Sequence, residues 1–233
     1  MNTADTYQQI LTELKNRASV KQSTYRSTKA VFDDLKSVLS RIGAELQRDY
    51  HAKDPSVELS YRENNQFEAQ LKFSGDMLVA SMHSNIFQFP AEHRIRQSPA
   101  VALDPTLAYC GVIYIHNFLA DSIKYNRLAD VGYLVARIFV NRNKQFLVEG
   151  EGQLGFLWTD FSTQLADWDK LNDIAQQAIL QCIQSDLIAQ PFAAEKALTL
   201  DQKQSMIANS GYPTGKHIGY RFAAELEKEN NPS

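Results

Sequence analysis

Arg137 and Glu149 lie on either side of a short polar interruption, Asn141-Arg142-Asn143, between two alternating apolar runs at 133–140 and 145–149. Two such runs joined by a three-residue loop make a β-hairpin, with Asn143 taking the left-handed conformation that asparagine tolerates. That register puts Leu134, Ala136, Ile138, Val140, Phe146 and Val148 on one wholly apolar face. Tyr133, Val135, Arg137, Phe139, Gln145, Leu147 and Glu149 fall on the other. A two-residue loop would mix the faces, setting Arg137 beside Val148, so burial selects the longer loop. Arg137 and Glu149 then become diagonal neighbours on a surface that carries aromatic rings. A guanidinium among aromatics can hold a small anionic ligand, with Tyr133 and His116 as further contacts. The plainer reading is a cross-strand ion pair beneath a helix. Lys124-Tyr125-Asn126-Arg127 offers further cationic and aromatic contacts, or a solvated turn.

Other residues with chemical potential form no recognisable set. His83, His93 and His116 are ordinary metal-ligand types, but none belongs to an HExxH or CxxC arrangement, and no metal is expected. Gly211-Tyr212-Pro213-Thr214-Gly215-Lys216-His217 superficially matches a phosphate-binding loop. It has three residues between its glycines where four are needed, a histidine where Ser or Thr should follow the lysine, and no preceding strand. The glycines read instead as a helix stop, and no cofactor is expected. Cys110 and Cys182 stand far apart in apolar surroundings, a pattern of buried free thiols. Asp33 and Asp34 are adjacent on a helix and point about 100° apart, so they make no acid–base pair. Nothing here decides whether the chain is an enzyme.

The elements that must position these residues begin with a heptad seam. Leu11, Ala18, Tyr25, Phe32, Leu39 and Leu46 recur every seventh residue, with Tyr7, Leu14, Leu35 and Ile42 at the complementary position. Lys21 and Thr28 interrupt the seam at its Ser/Thr-rich centre. The phase survives that interruption, which favours one long helix over a hairpin of two. Such a seam needs a partner surface, and a homodimer interface through Leu11, Leu14, Tyr25, Phe32, Leu35, Leu39, Ile42 and Leu46 is the expectation.

After Pro55 the period changes to two. Runs at 57–62, 67–73 and 78–82 separated by Glu63-Asn64-Asn65 and Ser74-Gly75-Asp76 predict an antiparallel meander. Pro90, Pro99 and Pro105 mark a long connection over 90–108 with room for a helical turn. Residues 110–119 are apolar on both faces, as a central strand requires, with a passage into helix near Ala120 as the alternative. Residues 153–158 predict a further strand, and apolar residues from Phe161 to Ile183 at helical spacing predict a covering helix over 161–190. A second helix is expected over 201–209.

The fold expected is α+β: a mostly antiparallel central sheet packed by helices, with a long N-terminal heptad-patterned helix. Residues 1–54 form a helical arm and 55–233 a single globular domain that includes the C-terminal helices. The hydrophobic share, 44%, is ample for a core. The balance of 24 Lys plus Arg against 27 Asp plus Glu argues against a broad nucleic-acid surface. No leader-like segment and no apolar run of ~18 residues occurs, so a cytoplasmic address without a membrane partner is expected. The functional expectation is a binding or interaction module, homodimeric through its N-terminal helix. Its rival is an enzyme or sensor for a small anionic ligand, with a pocket between the sheet and the 90–108 connection.

Overall fold

In the structure, a computed structural model that describes residues 3–159, 161, 164–189 and 191–208, one helical rod opens the chain. It comprises α1 (Thr3–Glu13), a π-helical turn (Leu14–Ala18) and α2 (Ser19–Tyr50). The rod is continuous through its Ser/Thr-rich centre, where threonine hydroxyls are satisfied by the helix itself. Thr24 Oγ1 donates to the Val20 carbonyl at 3.0 Å and Thr28 Oγ1 to the Thr24 carbonyl at 2.9 Å, which lets both threonines be buried.

A mostly antiparallel seven-stranded sheet follows, built from β1 (Leu59–Asn65), β2 (Glu68–Phe73), β3 (Asp76–Met82), β4 (Phe87–Gln88), β5 (Tyr109–Leu119), β6 (Tyr133–Asn141) and β7 (Phe146–Gly150). Its order is β1-β2-β3-β5-β6-β7, and β4 pairs with the start of β5. Strand β5 runs to Leu119 and passes directly into the short helix α4 (Ala120–Lys124), so both readings of that segment hold in succession. Residues 153–158 are not a strand: a 3-10 turn occupies Gly152–Gly155, where Gly152 has φ +56°.

One face of the sheet is sealed by α2 and by α5 (Trp168–Gln184). Val31, Phe32, Leu35, Val38, Leu39 and Ile42 of α2 meet Leu71, Leu78, Ala80, Ile113, Ile115 and Ile138 of the strands in one buried cluster. The helix approaches closely at Gly111, where a β-carbon would sit only 2.2 Å from Thr28 Oγ1. Helix α5 is shorter than the apolar period suggested. Asp167 caps it by accepting from the Lys170 N–H at 3.0 Å, which leaves Phe161 and Leu165 outside the helix. Short helices α6 (Phe192–Glu195) and α7 (Leu200–Ala208) follow, while the Gly211–His217 glycines lie outside the described residues.

The seam residues therefore divide. Phe32, Leu35, Leu39 and Ile42 are buried against the chain's own sheet, and Tyr25 and Leu46 pack half-buried beside them. Residues 20–46, expected in an arm, are thus part of the globular core. Leu11 and Leu14 remain exposed, together with Tyr7 and Ile10.

Candidate functional site

Among the described residues, the second face of the sheet has no long helix over it. Its cover is the 83–108 connection, which passes through β4 and then folds as three short helical turns: a 3-10 turn (Arg94–Gln97), α3 (Pro99–Leu103) and a second 3-10 turn (Pro105–Ala108). Each starts on a capping side chain. His93 Nδ1 accepts from Ile95 N–H, Ser98 Oγ from Val101 N–H, and Asp104 Oδ1 from Thr106 N–H. Pro99 and Pro105 take the first positions of the latter two, where no backbone donor is lost. Phe89, Ile95, Val101 and Leu107 from this cover pack on Cys110, Val112, Phe139, Leu147 and Phe161. Arg142 at the hairpin tip ties the arrangement together, pairing with Asp104 while its carbonyl accepts from Ser27 Oγ at 2.7 Å. The Thr106 hydrogen bonds, joined by the Arg142 guanidinium, hold the Asp104 carboxyl below the usual carboxylate range.

The cover stops short of the middle of the sheet and leaves a cleft of ≈ 380 Å³ lined by Phe87, Phe89, Pro90, His93, Tyr114, Arg137, Phe139 and Glu149, with Cys110 and Val112 at its floor. This volume falls within the roughly 300–1,000 Å³ typical of small-molecule sites. Three strands supply its polar end, because Arg137 of β6 is the direct cross-strand partner of Glu149 on β7 and of Tyr114 on β5. Arg137 Nε donates to Glu149 Oε2 at 2.5 Å. The guanidinium lies 5.2 Å from the Phe139 ring centroid. Phe89 forms the apolar wall, stacked on His93 with centroids 4.4 Å apart and tilted against Phe139 at 4.9 Å. His93 Nε2 lies 3.9 Å from Glu149 Oε1.

The hairpin faces follow the alternation for Arg137, Phe139, Leu147 and Glu149, but its register differs. The three-residue loop is Arg142-Asn143-Lys144, and the left-handed residue is Lys144 at φ 58° rather than Asn143. The cause is Asn141, whose Oδ1 accepts from Asn143 N–H at 2.9 Å and Gln145 N–H at 3.1 Å, starting the turn one residue later. Arg137 and Glu149 are consequently directly opposed rather than diagonal.

A β-bulge changes the other end of β6. The pairing shifts between Ile115 and His116, so that Ala136 faces Ile115 while Leu134 faces His116. The extra residue, Val135, joins the helix-covered core, Leu134 moves to the open face, and Tyr133 pairs with Asn117 on the face opposite Arg137. Tyr133 therefore does not join the site, contrary to expectation. His116 does share the open face, stacked on Tyr114 with centroids 5.9 Å apart, but it lies beyond the cleft wall. Burial pushes its imidazole pKa down, favouring the neutral ring.

Lys124 belongs to a separate groove with Arg62 and Lys72, and Arg127 pairs with Asp130 at 2.9 Å, so the 124–127 cluster does not extend the cleft. Cys110 and Cys182 are buried thiols that form no disulfide among the described residues, and burial raises the Cys110 pKa, which suppresses the thiolate. Among the described residues no group of three or more His, Cys, Asp or Glu side chains is arranged to hold a metal ion. Nor is any helix among them long and apolar enough to cross a membrane.

Phe89 and His93 escaped the sequence reading because their approach to Arg137 depends on the path of a long connection. The available signal was local: Phe87 and Phe89 alternate immediately before Pro90, as in a short strand that presents one ring to a sheet. Comparison with known protein families, curated proteins and solved structures returned no match.

Proposed function

We propose that this chain is a binding module for a small anionic ligand, held in the cleft between β5, β6, β7 and the 87–93 segment. The observation that carries this reading is the half-exposed Arg137–Glu149 pair at the mouth of an aromatic recess, with Arg137 43% and Glu149 35% exposed. A structural ion pair needs no recess of aromatic rings beside it, and a closed core would not leave one open. Binding is favoured over catalysis because, among the described residues, the Glu149 carboxylate of the cleft is engaged by Arg137 and burial of Cys110 suppresses its thiolate. Native mass spectrometry of gently purified protein should show an added small-molecule mass that Arg137→Gln abolishes. Unliganded spectra, together with unchanged aromatic resonances across a library of small carboxylates, would sink the reading.

A second reading, self-association through the N-terminal helix, is favoured by a separate observation. Tyr7, Ile10, Leu11 and Leu14 are 59%, 51%, 43% and 52% exposed and form one stripe along the first turns of the rod. Light scattering at micromolar concentration should report a dimer, and Leu14→Glu should return it to a monomer. A wild-type monomer would remove this reading and leave the cleft untouched.

A further inference from the structure

The geometry points to an aromatic oxyanion as the cleft's ligand, gripped end-on by the two terminal nitrogens of Arg137 while its ring lies against Phe89 and Phe139. This rests on the ligand-binding reading above and specifies what the ligand must be. A guanidinium offers five N–H donors in a planar fork with a side edge and an end edge. Glu149 occupies the side, accepting from Nε at 2.5 Å. Among the described residues the terminal nitrogens donate to no protein group. The end edge is thus free, and its two parallel N–H groups can pair bidentately with a carboxylate or phosphate.

Glu149 also argues against a cationic ligand. Its Oε2 is already engaged by Arg137, so an incoming ammonium would share the carboxylate with a guanidinium and meet that positive charge at close range. Glu149 is therefore a positioning residue that fixes the plane of the fork. The ring requirement follows from the walls. Phe139 lies under the guanidinium at 5.2 Å, and Phe89 is tilted against Phe139 at 4.9 Å, so a flat body continues the offset packing already present. The volume, ≈ 380 Å³, suits a small ligand rather than an extended polymer.

The test titrates the full chain with benzoate, phenyl phosphate, benzylamine and benzyl alcohol, reading affinity by calorimetry and location by the aromatic resonances of the cleft. At least one of the two anions should bind about tenfold or more tighter than benzyl alcohol, and benzylamine should bind no better than the alcohol. The stronger anion identifies carboxylate or phosphate as the natural head group. Arg137→Gln should reduce that anion to the level of benzyl alcohol while lowering Tm by no more than about 4 °C, and Arg137→Lys, which keeps the charge but loses the fork, should also weaken it. Wild-type affinity in Arg137→Lys would overturn the end-on grip. Equal affinity for all four probes at the cleft, insensitive to Arg137→Gln, would overturn the oxyanion while leaving the cleft as a ligand site. No cleft response to any probe by folded wild-type protein would overturn both.

Discussion

The two faces of the sheet are closed by different means. On one, long helices present side chains at regular spacing, and Phe32, Leu35 and Leu39 of α2 reach strand residues at positions that exclude water. On the other, the cover is a string of short turns, each set by one capping side chain: His93, Ser98 or Asp104. A long helix seals whatever lies under its length, whereas a short turn covers only what its own few side chains reach. The remainder, around Arg137 and Tyr114, stays open, and there charge and aromatic surface coexist at partial exposure. The covered face carries stability and the open face is free to carry recognition.

Truncation on each side should break or uphold that contrast. Phe32→Ala removes a fully buried ring from the sealed face and should cost about 3–5 kcal/mol by urea denaturation. Arg137→Gln on the open face should cost less than about 1 kcal/mol, because its ion pair is half-exposed. Similar losses for the two variants would mean that the open face is structural after all.

Gly111 tests how closely the sealed face is packed. A β-carbon there meets Thr28 Oγ1 at 2.2 Å and Thr28 Cβ at 2.7 Å, so the helix or the strand must shift. Gly111→Ala should destabilise by about 2–3 kcal/mol. Combined with Thr28→Ala, the change should be less than additive by at least about 0.5 kcal/mol in a double-mutant cycle. Strict additivity would show that helix and strand do not meet there.

On the open face, the anchoring of the cover is sensitive to pH through Asp104. Its folded pKa lies below the ordinary value of 3.8, chiefly through the Thr106 hydrogen bonds and then Arg142. The unfolded chain therefore takes up a proton first as pH falls. The stabilisation is fully present above 3.8 and is lost as pH drops through the folded value. Wild type should accordingly exceed Asp104→Asn in stability near neutrality, and the difference should shrink steadily below pH 3.8. A gap that stays constant through that window would place the contribution of Asp104 elsewhere than in its ionised form.

Much of this architecture was legible because alternation and helical periodicity are local. Leu71, Phe73, Leu78 and Ala80 declare their face by spacing alone. What escaped depended on competition between local options. Thr28 looks like a polar break in a heptad seam, but bonding its hydroxyl to a helix carbonyl turns it into a small packing residue. The N-terminal rod, Thr3–Tyr50, reads as an arm because a heptad does not say whether its partner is another chain or the chain's own sheet. The bulge at Val135 left no sequence mark and removed Tyr133 from the site. Half of the cleft, Arg137 and Glu149, was visible as a hairpin face; the other half, Phe89 and His93, arrives through a tertiary path.

The smallest expected effect concerns the hairpin tip that joins the two faces. The sequence favours Asn143 for the left-handed position because asparagine tolerates it, whereas the structure gives that position to Lys144 at φ 58°. A lysine held there is strained, and glycine relieves the strain because it lacks the β-carbon. Lys144→Gly should therefore raise stability by about 0.5–1 kcal/mol. Asn143→Gly gains no such relief and adds only freedom to the unfolded chain, so it should lower stability by a comparable amount. The opposite ordering of the two variants would restore the earlier register, with Arg137 and Glu149 diagonal. The fork would then lose the side contact that Glu149 makes at Nε.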